Sequence, residues 1–253
     1  MRNVRLQVLM TCMLLATIFA FAQEKNYQAY WVHEDRVKPE ATDRYEQISK
    51  DLVAACKQHA IKDSQWITVA LEDNSYMYLS PIANFADLDK NSFATLSEKM
   101  GSENMGKLFS RYDDCYNKHG DYVVYLLKDM SYMPGGISQT VEGKNHRIMY
   151  YNYVSPDNDK NFREVMKKIK AAFEKHNSKM HYRVYRSGFG VMGNYYMIAV
   201  ASANPGDLFN LGSENWELMK DDFEPLLKEM NKYIYKAETK RGWMRPDMAY
   251  MPE

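Results

Sequence analysis

The chain has 253 residues, with 33 Lys and Arg against 33 Asp and Glu, and so no net formal charge. That balance, with no basic stripe, excludes a general polyanion binder, and no nucleic-acid partner is expected. A hydrophobic fraction of 45% with 13% aromatic residues excludes a disordered chain.

Residues 1–22 read as a signal peptide. Arg2 and Arg5 precede an apolar run from Leu6 to Phe21, and Ala20-Phe21-Ala22 has the small-x-small cleavage pattern. Cys12 has too little apolar sequence before it to be a lipoprotein cysteine. The run is short for a membrane span, and no later stretch is long and apolar enough to make one. The mature chain, beginning at Gln23 with net charge −2, is therefore expected to be exported to the periplasm or extracellular space, without stable membrane insertion. It keeps Cys56 and Cys115, which fall near the ends of two antiparallel helices and are expected to stay unpaired.

An internal repeat organises the rest. Asp129-Met130-Ser131-Tyr132-Met133-Pro134 recurs as Asp247-Met248-Ala249-Tyr250-Met251-Pro252, displaced by 118. Ala54, Ala55 and His59 recur as Ala171, Ala172 and His176. Asn74, Tyr76, Met77, Ala83, Asn84, Asp87 and Leu88 recur as Asn194, Tyr196, Met197, Ala203, Asn204, Asp207 and Leu208. These blocks define a module at 25–134, a linker at 135–145 rich in Gly and polar residues, and a second module at 146–252.

Each module reads β-α-β-β-α-β. In the first, a strand at 27–33 is followed by an amphipathic helix at 40–60 with Tyr45, Ile48, Leu52, Val53 and Cys56 on one face. Strands at 66–71 and 76–79 flank a turn, a broken helical region covers 86–118, and 122–127 is the last strand. The second module repeats the order at 147–154, 159–176, 181–187, 195–202, 207–237 and 240–248, with Phe162, Val165, Ile169 and Phe173 on the helix stripe. This is the split βαβ, or ferredoxin-like, order. Its strands are apolar on both faces, as in Tyr27–Val32 and Tyr122–Leu127, so both sheet faces expect cover. The fold class is therefore α+β, two tandem ferredoxin-like modules packed sheet to sheet as an internal pseudo-dimer.

This duplicated order resembles the dimeric α+β-barrel superfamily. The resemblance implies a ligand site between the two sheets. The activities it implies are those of cofactor-independent monooxygenases, haem peroxidases and chlorite-dismutase-like proteins, some of which use haem and some no cofactor.

Few motifs carry chemistry. Gly188-Phe189-Gly190-Val191-Met192-Gly193 has the dinucleotide spacing but lies between two strands, so it reads as a hairpin turn. Asp87, Asp89, Asn91 and Glu98 place oxygens at EF-hand-like positions, a candidate calcium site in which Ser92 replaces the usual glycine. His59 and His176 suit helix C-termini. His33, ending the first strand, is the best candidate for proton transfer or metal ligation. Arg147, Arg183 and Arg186 lie on strands, and one pointing inward would receive an anion. Twenty tyrosines and 18 methionines suit a small apolar or aromatic ligand.

Two functions follow. The first is a non-catalytic ligand-binding or interaction protein, motivated by the aromatic sheet surface and the lack of a catalytic constellation. The alternative is an α+β-barrel enzyme, an oxygenase or haem protein working in the inter-sheet cavity. In either case Trp31, His33, Tyr150, Asn152 and Arg183 are the expected lining of the site. Strand phase is the sensitive step, because a slip of one residue turns these side chains over.

Overall fold

In the computed structural model, which describes residues 25–252, β1 spans Tyr27–Val37. The Ala22 cleavage point and Cys12 lie outside the described residues. In chain order follow α1 (Thr42–Gln58), β2 (Ile67–Leu71), β3 (Ser75–Ile82), α2 (Ala94–Met100), α3 (Ser102–Ser110) and β4 (Tyr116–Leu127). The second half holds β5 (His146–Val154), α4 (Asp159–Lys175), β6 (Tyr182–Ser187), β7 (Tyr195–Ser202), α5 (Pro205–Asn231) and β8 (Ile234–Met244). Among the described residues no helix is long and apolar enough to cross a membrane.

The repeated blocks have a structural reason. Asn84 and Asn204 adopt the same extended backbone, and the side-chain oxygen of each accepts a hydrogen bond from a backbone N–H at a helix start. Asp87 and Asp207 return the bond, accepting from the N–H groups of Ala83 and Ala203 at 2.7 and 2.9 Å. The Tyr132 and Tyr250 blocks add equivalent bridges, to Tyr182 and Trp66. The helix stripes fall as expected: Tyr45, Ile48, Leu52, Val53 and Cys56 are buried in α1, and Phe162, Val165, Ile169 and Phe173 in α4. His59 and His176 are the residues that cap α1 and α4. Cys56 and Cys115 are buried free thiols.

The eight strands form one closed antiparallel barrel in the order β1-β3-β2-β8-β5-β7-β6-β4. The halves therefore do not lie as two separate sheets with a gap between them. They join edge to edge, β2 to β8 and β4 to β6, each through a short run of pairs such as Ala70 with Trp243 and Tyr125 with Arg186. Closure removes all sheet edges. Val32, Leu79, Met77, Leu126, Met149, Tyr151, Tyr185 and Met197 fill the interior.

Four strands extend well beyond the sequence reading. One of them, β3, runs on to Ile82 by pairing with Ala29. β1 continues to Val37, and β4 begins at Tyr116, because Arg36 pairs with Lys118 and Asp35 with His119 across the ladder. Main-chain pairing is indifferent to the polar side chains of Asn117–Asp121, which carry no hydrophobic strand signal. Likewise β8 starts at Ile234, within the span read as helix, by pairing with Val154.

The β2–β8 seam requires a glycine. A Cβ on Gly242 would stand 2.2 Å from the Ala70 carbonyl oxygen, a rigid backbone atom. Gly242→Ala is expected to lower stability by about 1–3 kcal/mol through overpacking. Gly212→Ala in α5, where a Cβ meets nothing within 4 Å, is expected to raise it by up to about 1 kcal/mol. Urea denaturation of the two variants checks both signs.

Candidate functional site

Side chains alternate across a strand, so the inward position of Val32 turns Trp31, His33 and Asp35 outward, toward the helices of their own half. There they meet a cavity of about 990 Å³ between the outer sheet face, α1, the segment 83–93 and α3. Tyr45, Trp66, Tyr78, Phe93, Phe109 and Tyr112 supply aromatic walls.

A chain of polar groups crosses its floor. Asp121 on β4 accepts hydrogen bonds at one oxygen, Oδ1, from Trp31 Nε1 and from the His33 ring, each at 3.0 Å. The other ring nitrogen of His33 stands 3.2 Å from Asp35 Oδ1. Asp35 is 4% exposed, and its Oδ2 accepts from the Tyr45 hydroxyl at 2.7 Å. Ser49 then links to the hydroxyls of Tyr78 and Tyr112 at 3.1 and 3.0 Å. His119 places its ring 5.8 Å from that of His33.

Electrostatics make His33 a cation. Burial alone pulls its pKa down, but the carboxylates of Asp35 and Asp121 outweigh burial and raise it to about 9. Burial pushes the phenols of Tyr45, Tyr78 and Tyr112 upward, so they stay protonated donors. Asp121 Oδ2 has no hydrogen-bond partner among the described residues, and its side chain is half exposed to the cavity mouth.

The second half has the same frame and none of this chemistry. Val37 and Val154 donate equivalent hydrogen bonds, to the carbonyls of Asn74 and Asn194. That equivalence places Tyr150 where His33 stands, and Asn152 where Asp35 stands. The β-ladders place Thr239 at the position of Asp121, opposite Tyr150, and Ala237 at that of His119. Phe162 replaces Tyr45, stacking on Tyr196 as Tyr45 packs on Tyr76. The space under α4 and α5 is filled by Phe162, Met166, Ile169, Phe173, Met219 and their neighbours.

The five residues expected to line one inter-sheet site are thus separated. Trp31 and His33 lie on the outer face of the first half. Tyr150 and Asn152 lie on the outer face of the second, opposite Ile198 and Tyr196, which pack under its helices. Arg183 alone points into the barrel, where it donates to the carbonyls of Ser138 and Gln139. The strand-phase assumption fails because strands apolar on both faces do not mark which one faces inward. The calcium set does not converge either. Asp87 is used by Ala83, Asn84 and Lys90, and Asn91 caps the Phe93 N–H. The Gly188–Gly193 segment is the β6–β7 turn, as its flanking strands require. Asp121, His119, Asp35 and Tyr112 were missed, and the signal available was the polar alternation continuing past His33 and before Tyr122.

The comparisons with known proteins bear on fold. No family model matches this chain, and no curated protein sequence matches it. A protein described as anthrone oxidase-like superposes with a TM-score of 0.57 at 8% identity, over 88% of this chain and 92% of its own. A protein from Lactobacillus acidophilus NCFM, proposed to be a monooxygenase, gives 0.55 at 9% identity over 89% and 96%. Another with the same proposed activity, from Fusobacterium nucleatum, gives 0.52 at 16% identity over 86% and 92%. These likenesses show the fold alone, an α+β barrel of the kind that the resemblance to the dimeric α+β-barrel superfamily implies.

Haem, which that superfamily implies as one cofactor, meets the wrong lining here. Both nitrogens of His33 face carboxylates, and Asp35, Asp63, Asp87, Asp113 and Asp121 surround a space whose one lysine, Lys90, is paired with Asp87. Two propionates would be repelled. His33, His119 and Asp121 bring one ligand atom each within 4.8 Å of one another, the one such group among the described residues. The His33 ring nitrogen nearest to Asp121 lies 3.0 Å from its Oδ1, so a proton shared between the two holds part of this cluster together.

Because folding raises the His33 pKa above its ordinary 6.5, the clamp contributes fully below pH 6.5 and is lost as the pH rises through about 9. The stability difference between the wild type and His33→Gln should therefore shrink between those pH values. Urea midpoints across the range check it, and a gap independent of pH overturns the assignment.

Proposed function

We propose that the first half binds a flat, hydroxylated aromatic molecule in the 990 Å³ cavity and oxidises it with molecular oxygen and no bound cofactor. The observation that carries this reading is the divergence between the halves. At equivalent positions, a linked set of proton-carrying groups survives in one half and is replaced by Tyr150, Asn152, Phe162, Ala237 and Thr239 in the other. A purely structural role would not require an open, acid-lined cavity on one side only.

In this reading the aromatic substrate lies against Trp31, Tyr78 and Trp66. Asp121 Oδ2 takes a proton from a phenolic O–H or an activated benzylic C–H. Its partner oxygen stays oriented by Trp31 and His33, whose positive charge balances the anion that forms. The buried Asp35, itself held by Tyr45, fixes the imidazolium. The substrate anion then reduces O₂, and the balanced outcome for a benzylic methylene is a carbonyl and one water. The fold neighbours described as anthrone oxidase-like or proposed as monooxygenases support this choice of chemistry.

We further infer that the chain is exported after removal of residues 1–22, and that its halves derive from one duplicated ferredoxin-like unit. The repeated blocks and the charged-then-apolar leader support both.

Oxygen uptake with anthrone-type and hydroquinone probes tests the enzyme reading. Asp121→Asn should cut turnover by about 10²-fold or more, the usual contribution of a general base, while probe binding, read by tryptophan quenching, persists. Binding without oxygen uptake by the wild type would leave a ligand-binding protein in place of an oxidase. Turnover unchanged in Asp121→Asn would remove the base.

A further inference from the structure

The barrel interior of the second half holds two buried cations without an acid. Arg147 on β5 and Arg183 on β6 point inward on either side of β7, opposite Ala201 and Ala199. They are 3% and 2% exposed. Among the described residues no carboxylate pairs with either. Their partners are main-chain carbonyls, all but one from the segment between the halves: Arg147 donates to Gln139, Lys144 and, in β5, His146, and Arg183 to Ser138 and Gln139. Two buried donors remain without partners, Arg183 Nε and Gln139 Nε2. Burying two like charges with only carbonyl dipoles for compensation is costly. Burial, with the adjacent Arg183, brings Arg147 down to about 9.

Beside Arg183 lies a hollow of about 30 Å³ whose polar lining is Lys144, Lys179, His181 and Arg183, with no acidic group. That is the space open to the centre of a water-sized sphere, above the roughly 10–15 Å³ that one water needs. A chloride or bromide ion fits there. Water would fill the space but would leave the charge unbalanced.

We propose that this hollow is a halide site, in which a chloride-sized anion neutralises Arg183 and Lys144 and fastens the 135–145 segment over the barrel end. The site is separate from the aromatic cavity and independent of the function proposed for it.

The test is thermal melting of the full mature chain in sodium chloride, bromide, sulfate and gluconate at matched ionic strength. General salt effects place sulfate above chloride as a stabiliser. Site binding predicts a saturable rise of a few degrees with millimolar chloride or bromide, absent in gluconate, as expected for a ligand that binds only the folded state. Arg183→Met should abolish the halide response. If that variant does not fold, Lys144→Ala, at the rim, should raise the half-saturating chloride concentration several-fold. Anomalous diffraction from a bromide-grown crystal should give a peak against Arg183. Equal responses to chloride and gluconate, an undiminished response in Lys144→Ala, or no bromide peak at Arg183 would each overturn the proposal.

Discussion

Two short seams govern this molecule. Where β2 meets β8 and β4 meets β6, a few main-chain pairs convert two four-stranded sheets into one cylinder. Once the cylinder is closed, each strand has an inside and an outside, and the inside is filled by aromatic and aliphatic side chains. Among the described residues, the cavity of aromatic size lies between the outer wall and the helices. The position of the candidate site is thus a consequence of closure as much as of any local sequence.

The halves use this outer layer differently. Under α4 and α5 the layer is a dry core, with Phe162 stacked on Tyr196. Under α1 and α3 the same layer carries Asp35, a tyrosine in place of the phenylalanine, and an opening. One hydroxyl marks the change: Tyr45 supplies a donor to a buried carboxylate, and that carboxylate in turn makes a charged imidazole tolerable at the floor of a cavity. The second half keeps Asn152 there, which needs no counter-charge.

Much of the architecture was legible in the sequence because it was written twice. The Asn84–Asp87 and Asn204–Asp207 caps, the Tyr132 and Tyr250 bridges and the two helix stripes each satisfy local hydrogen-bonding or burial needs that a linear pattern expresses. Strand phase was not legible. Tyr30 and Val32 are as apolar as Ala29 and Trp31, so alternation around β1 carries no sign of which set faces inward. The site was hidden for a related reason. Asp35, His119 and Asp121 lie on strand extensions whose polar side chains look like loop, and only pairing between β1 and β4, residues far apart in sequence, makes them strand. His33 was singled out correctly as a residue with chemistry, but its partners come from that pairing.

The turn between β6 and β7 reaches across the second seam. Gly190 has φ +88°, and a Cβ there would stand 2.7 Å from the Asp121 carbonyl, while the Phe189 carbonyl accepts the Val123 N–H at 2.8 Å. The backbone that carries Asp121 is therefore gripped by the opposite half of the chain. Two identical copies of the first half would have no such loop to offer each other, since their own β2–β3 turn is the shorter Glu72–Asn74. The second half thus braces the strand that carries Asp121, and a chain cut within 135–145 would yield two fragments that must find each other before either is complete.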